Sequence, residues 1–508
     1  MTVANSVKLS SDSTKFYQLF SVLSVCYLCI SCGNFLGYTS TALPSMEEDK
    51  ESFEELTKHD KSWIGSLGPL GALFGSTLVL IPLRFFGPRR TISFFGCPAM
   101  LCSWSFIGFA DDIIMIFVGR FLGGLGTGVI IPCSSLFVVD IASVELRGKL
   151  GILPQFLMIF GILISYVLGS FLSWRILALA CCTLAGPSIL LLVLAPDTPS
   201  WLVSKDRCDD AYEILEKLLG SHAASARLRD VRDTWDLSQQ RKESQMVGVR
   251  KQRLNTGMIK ASAVALGVLS FQQLTGINGV TFYALSIFQQ SAGESSSLNP
   301  HIPSIILATT QLIASFTSTL IVERAGRRIL LLISTFMISI AGSILGIYFY
   351  CGTGYPFLSW VPLAALIMYT FGFAIGLGPI TWLIVSEMLP EEIRHIMNPL
   401  GIAYSWFCVF LVTKSFPLLR HEINIYGIFW MYAGIAFIGL IFVALFVPET
   451  KGKSIREIRE YFNSSVVSRK TSATASTITS DVETGYIEDG EEDADADADA
   501  TKCLTESA

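Results

Sequence analysis

Long apolar stretches alternate with short charged intervals along most of the chain. Twelve of these stretches approach or exceed the roughly 20 helical residues needed to cross the hydrocarbon core of a bilayer. Glycine and proline recur inside them, as membrane helices tolerate when neighbouring helices satisfy the freed backbone groups. The pattern predicts an all-α polytopic membrane protein. The predicted spans are 17–42, 62–83, 91–110, 112–135, 150–172, 174–195, 258–290, 302–322, 328–350, 357–385, 396–419 and 424–447.

Composition supports a membrane location. Of the 508 residues, 51% are hydrophobic and 16% are charged, whereas a soluble chain carries about a quarter charged residues. The first apolar stretch is too long for the core of a signal peptide, and no basic region precedes it. We therefore expect it to be the first span rather than a cleaved leader.

Lysine and arginine are concentrated in alternate loops. They are frequent in 84–90, 323–328 and 200–256, whereas loop 44–61 is strongly acidic. Cytoplasmic loops of membrane proteins carry the excess of basic residues. The distribution predicts that both termini are cytoplasmic and that loop 44–61 faces outside.

The predicted spans form two groups of six, and short sequence motifs of the first group recur in the second group in the same order. Gly87-Pro88-Arg89-Arg90 corresponds to Gly326-Arg327-Arg328, and Pro196-Asp197-Thr198 corresponds to Pro448-Glu449-Thr450. Two pseudo-symmetric six-helix halves are typical of transporters that rock around a central site. The predicted division is a cytoplasmic segment 1–16, a first half 17–195, a cytoplasmic linker 196–257 with short amphipathic helices, a second half 258–447, a cytoplasmic motif and short helix 448–463, and a disordered acidic tail 464–508.

Uncharged amide side chains lie within the predicted spans, where polarity is costly. They include Gln155, Gln272, Gln273, Asn278 and Gln311. A buried amide costs a few kcal/mol unless it is hydrogen-bonded, and bonding between helices accounts for any single one. Together they suit a neutral polyhydroxylated ligand, because an amide both donates and accepts without bringing a charge.

Residue combinations for catalysis or cofactor binding are missing from the sequence. It contains no paired carboxylates in a span, no phosphate-binding glycine loop and no plausible Ser/His/Asp set. Cys26, Cys29 and Cys32 have a metal-like spacing, but they lie in an apolar helix without an evident fourth ligand. We expect no enzyme, no cofactor and no metal. The expected partners are a small neutral sugar and the lipid bilayer, without nucleic acid, and we expect the monomer to function.

The chain resembles the sugar porters of the major facilitator superfamily from about residue 16 to residue 462, so the resemblance implies the major facilitator fold. Its finer pattern is most similar to insect facilitated trehalose transporters, including Val412-Thr413-Lys414. The motifs that carry the resemblance are Gly119-Arg120, Glu145-Leu146-Arg147-Gly148, Pro196-Asp197-Thr198-Pro199, Gln272-Gln273-Leu274-Thr275-Gly276-Ile277-Asn278, Glu323-Arg324-Ala325-Gly326-Arg327-Arg328, Gly378-Pro379-Ile380-Thr381-Trp382 and Pro448-Glu449-Thr450-Lys451-Gly452.

The resemblance assigns roles to individual residues. Tyr283 would belong to the outer gate, and loop charges would form cytoplasmic ion-pair networks. Departures from the family are Ala374 in place of an acid, and Ser405 and Val409 in place of asparagines, so the wall of spans 10 and 11 is expected to lose polar groups. The implied sugar contacts are Gln155, Gln272, Gln273, Ile277, Asn278, Gln311 and Trp382. The implied network residues are Arg89, Arg90, Glu145, Arg147, Glu323, Arg327, Arg328, Glu387 and Arg394.

Acidic residues are missing from the interior of the predicted spans, where a proton-coupled carrier needs a titrating group. In proton-coupled relatives an Asp follows the Gly-Tyr pair of span 1, whereas Thr39 follows Gly37-Tyr38 here. The clearly intramembrane charge is Arg120, which is expected to bind carbonyl oxygens. The sequence therefore favours a plasma-membrane sugar uniporter, with trehalose first and a hexose second. A proton-coupled sugar or polyol symporter and a non-transporting sugar sensor remain alternatives.

Overall fold

The structure, a computed structural model, is mostly helical, and no strand occurs in its described part. The predicted tail 464–508 lies outside that part. The described residues are 2–49, 56–247, 256–292, 301–352, 355–389, 391–453, 457–458 and 461–462.

The first half of the chain forms ten helices, of which the first two are separated by a single turn residue, Tyr27. Gly87 (φ 76°) bends the chain inside the fourth helix, and a π-helical turn at Ile92–Gly96 leads into the fifth. The helices are α1 Thr2–Cys26, α2 Leu28–Glu48, α3 Lys58–Leu78, α4 Leu80–Thr91, α5 Cys97–Gly108, α6 Ile113–Ile141, α7 Val144–Leu150, α8 Leu153–Gly169, α9 Trp174–Ala185 and α10 Ser188–Leu194.

Three helices follow in the predicted linker, and eight form the second half. The linker helices are α11 Pro199–Val203, α12 Cys208–Leu219 and α13 Ser221–Val247. The second half contains α14 Thr256–Leu274, α15 Ile277–Ala292, α16 His301–Ala325, α17 Arg327–Ile347, α18 Val361–Ile375, α19 Leu377–Met388, α20 Glu391–Glu422 and α21 Asn424–Phe446, with a π-helical turn at Tyr348–Gly352 and a 3₁₀ turn at Pro356–Leu358.

Ten helical stretches of the described chain are long and apolar enough to cross a membrane. Predicted span 2 coincides largely with α3, and predicted span 5 with α8, an apolar helix that is shorter than the other ten. The arrangement confirms the all-α polytopic prediction and is consistent with twelve spans. The surface of the bundle carries apolar side chains such as Phe94, Ile189 and Phe437, as lipid contact requires.

Small residues allow the helices of each half to approach closely. A Cβ at Gly161 of α8 would collide with the Ile30 carbonyl of α2, and one at Gly124 of α6 would collide with the Gly68 carbonyl of α3. Small residues at helix interfaces are the usual means of close packing in membranes. The two halves meet mainly where α3 packs on α20, α2 on α15 and α8 on α16.

The bundle has two ends that differ in charge. The acidic-loop end carries residues 44–49 and 56–61, and the arginine end carries Arg89 and Arg90 of α4 and Arg327 and Arg328 of α17. Helices α2, α8, α15 and α20 run toward the acidic-loop end, whereas α3 and α16 start from it. Contacts between the halves can therefore be assigned to one end or the other.

Candidate functional site

The helix of predicted span 7 is broken between α14 and α15 at Gly276. Its φ of 88° lies in the left-handed region, and a Cβ there would collide with the ring of Tyr432. Only glycine meets both requirements without strain. The hydroxyl of Tyr369 donates a hydrogen bond to the Thr275 carbonyl, one of the backbone groups that the break releases. Span 7 thus presents its polar residues on either side of a fixed bend.

Predicted span 10 is broken as well, at Gly376 between α18 and α19. The backbone there has φ −130° and ψ −81°, outside the helical region. The side-chain Nε2 of Gln272 donates to the carbonyls of Leu377 and Gly378, each at 2.9 Å. One buried amide therefore binds two carbonyls in the first turn of α19, beside the break, which fixes the position of Gln272.

From Gln272 a chain of hydrogen bonds runs through the neighbouring polar residues. Nε2 of Gln273 donates to Oε1 of Gln272 at 3.2 Å and to the Ser405 hydroxyl at 2.7 Å. Nδ2 of Asn278 donates to Oε1 of Gln273 at 2.7 Å. We call Gln272, Gln273 and Asn278 the amide chain. The structure thus brings three of the predicted sugar contacts together.

The direction of every bond in the amide chain follows from its first member. Carbonyl oxygens only accept, so the nitrogen of Gln272 must face Leu377 and Gly378, and its oxygen must face Gln273. The oxygen of Gln273 is then left to face Asn278. Both N–H groups of Gln272 and of Gln273 are used, whereas lone pairs remain on all three amide oxygens. The unused capacity of the chain is mostly that of an acceptor, which suits hydroxyl groups that donate.

The other predicted contacts differ in their surroundings. Ile277 is buried beside the break in span 7. Gln155 and Trp382 are exposed, Gln311 is half-buried, and none of these three polar groups hydrogen-bonds to another described residue. Gln155 and Gln311 lie on α8 and α16, which pack together across the halves, and Trp382 lies one turn after Gly378. They are not bonded to the amide chain.

Ser405 is a member of the site that sequence reasoning missed. The sequence identified it only as a departure that removes a polar group, whereas its hydroxyl is bonded to Gln273. Ala374 and Val409 are buried, as expected for an apolar stretch of this wall. The expectation that this wall loses polar groups therefore needs correction at Ser405, where a short hydroxyl replaces a longer amide and still reaches the amide chain.

Tyr283 lies where the two halves meet. Its ring stacks on Phe416 with centroids 4.8 Å apart, and its hydroxyl donates to the Thr413 carbonyl at 3.2 Å. The hydroxyl packs so tightly against Gly65 of the first half that a Cβ there would collide with it. The role of Tyr283 in a gate stays a prediction.

Hydrogen bonds join the halves on the acidic-loop side of the amide chain. The Ser62 hydroxyl donates to the Lys414 carbonyl at 2.7 Å, and the Tyr166 hydroxyl donates to the Thr281 carbonyl at 2.5 Å. The amide of Leu285 also donates to the Ser40 hydroxyl at 3.1 Å. The acidic-loop end is closed by these contacts.

The ion pairs that described residues form at the arginine end lie within each half. In the first half, Asp197 pairs with Arg89 at 2.8 Å and with Arg90 at 2.6 Å. In the second half, Arg327 pairs with Glu387 at 3.2 Å. None of these pairs joins one half to the other, in contrast to the contacts at the acidic-loop end.

The repeated motifs of the two halves form similar contacts that differ in detail. Glu449 accepts hydrogen bonds from the backbone amides of Arg327 (3.0 Å) and Arg328 (3.1 Å), at the start of α17. In the first half, Pro88 occupies the position that corresponds to Arg327, and proline has no backbone N–H group. Asp197 therefore binds the side chains of Arg89 and Arg90 instead. Asp197 and Glu449 both belong to the repeated sequence motifs, but the sequence did not predict that they bind the arginines.

The remaining predicted network residues are only partly described. The side chains of Glu145, Glu323 and Arg394 lie outside the described residues. The Arg328 guanidinium donates to the Ala444 carbonyl at 2.5 Å. The Nε of Arg147 is buried without a hydrogen-bond partner among the described residues. Whether these residues join the networks stays a prediction.

Arg120 is fully buried in α6, inside the first half. Its guanidinium donates to the carbonyls of Ile64 (3.0 Å) and Phe35 (2.9 Å) and to the Thr39 hydroxyl (2.7 Å). It also lies over the Phe35 ring, 4.1 Å from the centroid. As predicted, this cation binds carbonyl oxygens. Its third acceptor is the residue that follows Gly37-Tyr38.

Cysteines of the described chain are free thiols, and Cys26, Cys29 and Cys32 are buried. The described residues contain no group of three histidines, cysteines or acids that could hold a metal ion.

A helical bundle with two repeated halves, broken helices facing one another and a polar centre defines a membrane transporter of the major facilitator fold. The family model described as "Sugar (and other) transporter" matches residues 18–462, and the chain belongs to this family. The family resemblance deduced from the motifs is thereby confirmed. Family and relatives are transporters rather than enzymes.

Curated relatives and solved structures agree with this membership. The chain is 36% identical over 446 residues to the facilitated trehalose transporter Tret1 of Bombyx mori, covering 87% of this chain and 86% of the relative. It is 35% identical over 467 residues to a Tret1-2 homolog of Drosophila sechellia, covering 89% and 93%. The fold is similar to that of the xylose transporter XylE from E. coli in a partially occluded inward-open conformation (TM-score 0.70, 22% identity, covering 85% of this chain and 99% of that chain).

Proposed function

We propose that the chain is a facilitative sugar transporter whose substrate is trehalose, with a hexose as the alternative substrate. The amide chain carries this proposal, because it offers neutral acceptor groups at the centre of the bundle and no charge. A polyhydroxylated ligand matches such groups, whereas an ion does not. The printed names of the relatives, facilitated trehalose transporters, favour trehalose.

The surroundings of Arg120 support passive transport. Its guanidinium is satisfied by two carbonyls and the Thr39 hydroxyl, all of them neutral. A proton-driven carrier needs a group whose charge changes during the cycle, and arginine does not lose its proton in proteins. The contacts of Arg120 therefore favour movement of sugar down its gradient.

Transport would proceed by alternating access in the plasma membrane, with loop 44–61 outside and both termini in the cytoplasm. The contacts at the acidic-loop end close the outer face, whereas Gln155 and Trp382 stay exposed. In the proposed orientation, this conformation would be inward-facing. The outward-facing state requires Tyr283 to leave Gly65 and the ion-pair networks of the two halves to meet at the arginine end.

Uptake of labelled trehalose and labelled glucose tests the proposal. Oocytes expressing the chain would be assayed at mildly acidic and at neutral pH, with a Gln272→Ala chain of equal surface expression as control. We expect trehalose flux that stops at equal concentrations and ignores an imposed proton gradient. Accumulation driven by the gradient would overturn passive transport, and sugar binding without any flux would favour a sensor.

A further inference from the structure

Lys414, in the segment Val412-Thr413-Lys414, forms a contact between the halves that the sugar site does not explain. Its Nζ lies 3.4 Å from the centre of the Trp63 ring, over the aromatic face. Lys414 belongs to α20 of the second half, and Trp63 belongs to α3 of the first. A cation over the face of a tryptophan is attracted by the ring quadrupole, most strongly when both groups are withdrawn from water.

The contact is held on both sides. The residue before Trp63, Ser62, donates a hydrogen bond to the Lys414 carbonyl at 2.7 Å. The indole Nε1 of Trp63 donates to Nε2 of His59 at 2.9 Å, which fixes the orientation of the ring. Two consecutive residues of α3 thus bind the backbone and the ammonium group of one lysine.

The ammonium group of Lys414 is buried and has no hydrogen-bond partner among the described residues. By contrast, Lys61 at the same end pairs with Glu47 at 3.0 Å, within the first half. Opening of the acidic-loop end must pull Lys414 away from Trp63 and return the ammonium to water. The aromatic ring therefore compensates a desolvation that exists only in the closed state.

We propose that Lys414 and Trp63 form a cation–π latch, in which the ring compensates the buried charge of Lys414 and so allows the outer face to close. The latch rests on the proposed alternating access. Loss of the ring and loss of the charge should have different effects on the closed state. Loss of the ring leaves a buried charge without its partner, whereas loss of the charge leaves an apolar side chain packed on the ring. The two substitutions should therefore act unequally and interact strongly.

Labelling of a cysteine placed at Ser40 measures opening of the outer face. Ser40 is buried at the contact between the halves, where it binds Leu285. The Ser40→Cys chain, with exposed Cys102 and Cys351 replaced by serine, would be treated from outside with a membrane-impermeant thiol reagent. The same chain with Ser40 intact gives the background from the other native cysteines.

Trp63→Leu should raise the labelling rate about tenfold, because loss of a cation–π contact to a desolvated lysine shifts the opening equilibrium by about that factor. Lys414→Met should leave the rate near that of the native chain, and Lys414→Met added to Trp63→Leu should restore it. Lys61→Met is the matched control and should change nothing. If Trp63→Leu fails to reach the membrane, Trp63→Phe replaces it, with a smaller increase expected.

Equal labelling of Trp63→Leu and the double variant would overturn the latch, because the ring would then act by packing alone. An unchanged rate in Trp63→Leu, or in Trp63→Phe where that replaces it, would overturn it as well. The assay needs no sugar, so its result is separate from that of the uptake experiment. A chain that opens according to the latch but moves no sugar would contradict the proposed function and leave the latch standing.

Discussion

Arg120 donates a hydrogen bond of 2.7 Å to the hydroxyl of Thr39, inside the first half of the bundle. The bond ties α6 to α2 beside the Phe35 carbonyl, which the same guanidinium also binds. A charged group is thereby held by neutral acceptors in a position withdrawn from water. The identity of residue 39 decides whether this position can respond to protons.

Thr39→Asp should make transport depend on pH. An aspartate there would form a buried ion pair with Arg120 and oppose any rearrangement that separates them, until a proton neutralises it. Sugar uptake at neutral pH should fall several-fold and recover as the outside pH is lowered. Thr39→Asn, which has nearly the same shape and does not titrate, should show a flat pH profile. Identical flat profiles for both variants would contradict the prediction.

The spans and the polar residues within them could be predicted from the sequence, because both depend on local composition. Apolar length identifies a span, and Gln272, Gln273 and Asn278 were recognised as amides in an apolar setting. Their partners could not be predicted. Gln272 binds Leu377 and Gly378, more than a hundred residues away, and that pairing depends on how two broken helices face one another.

The charges at the arginine end show the same limit. Their positions repeat in the sequence, and the repeat predicts equivalent networks in the two halves. The difference arises from Pro88, whose missing N–H directs Asp197 to the side chains of Arg89 and Arg90. The loss of a single backbone donor thus changes which groups an acid binds, and the repeated motifs alone do not predict this change of partner.

Gln272→Ala should weaken sugar transport more than Gln311→Ala. Removal of Gln272 takes one bond from each of two carbonyls and leaves an N–H group of Gln273 without its partner, and each lost bond of this kind costs about 1 kcal/mol. The apparent affinity for sugar should fall about tenfold or further. Gln311 binds no described residue, so its loss removes only a direct contact with the ligand. Equal effects would contradict a structural role for Gln272.

Gln272→Glu provides the matched test of bond direction. A carboxylate has nearly the shape of the amide but cannot donate to Leu377 and Gly378, so it should fail as Gln272→Ala does. A variant with native affinity would contradict the assigned directions. The comparison is made by inhibition of labelled sugar uptake with unlabelled sugar.

Deoxy and fluoro analogues of the transported sugar should reveal the acceptor character of the amide chain. Lone pairs on the three amide oxygens remain for the ligand, so sugar hydroxyls must donate there. Where this chain binds a hydroxyl, the fluoro analogue at that position should inhibit uptake as poorly as the deoxy analogue, because fluorine cannot donate a hydrogen bond. The expected loss is about tenfold for each such hydroxyl. Fluoro analogues that inhibit like the parent sugar at every position would contradict the prediction.

Asp197→Asn should destabilise the first half through its two arginines. The side chain of Asp197 is only 12% exposed and pairs with Arg89 and Arg90, so loss of its charge weakens two charge-assisted bonds together. We expect a loss of about 1–3 kcal/mol, seen as a lower apparent melting temperature of the purified chain. Asp210→Asn is the control, because Asp210 is 48% exposed and pairs with Arg207 on one helix. Such surface pairs contribute about 0–1 kcal/mol, so the control should unfold almost as the native chain does. Equal losses in the two variants would mean that Asp197 contributes no more than a surface pair.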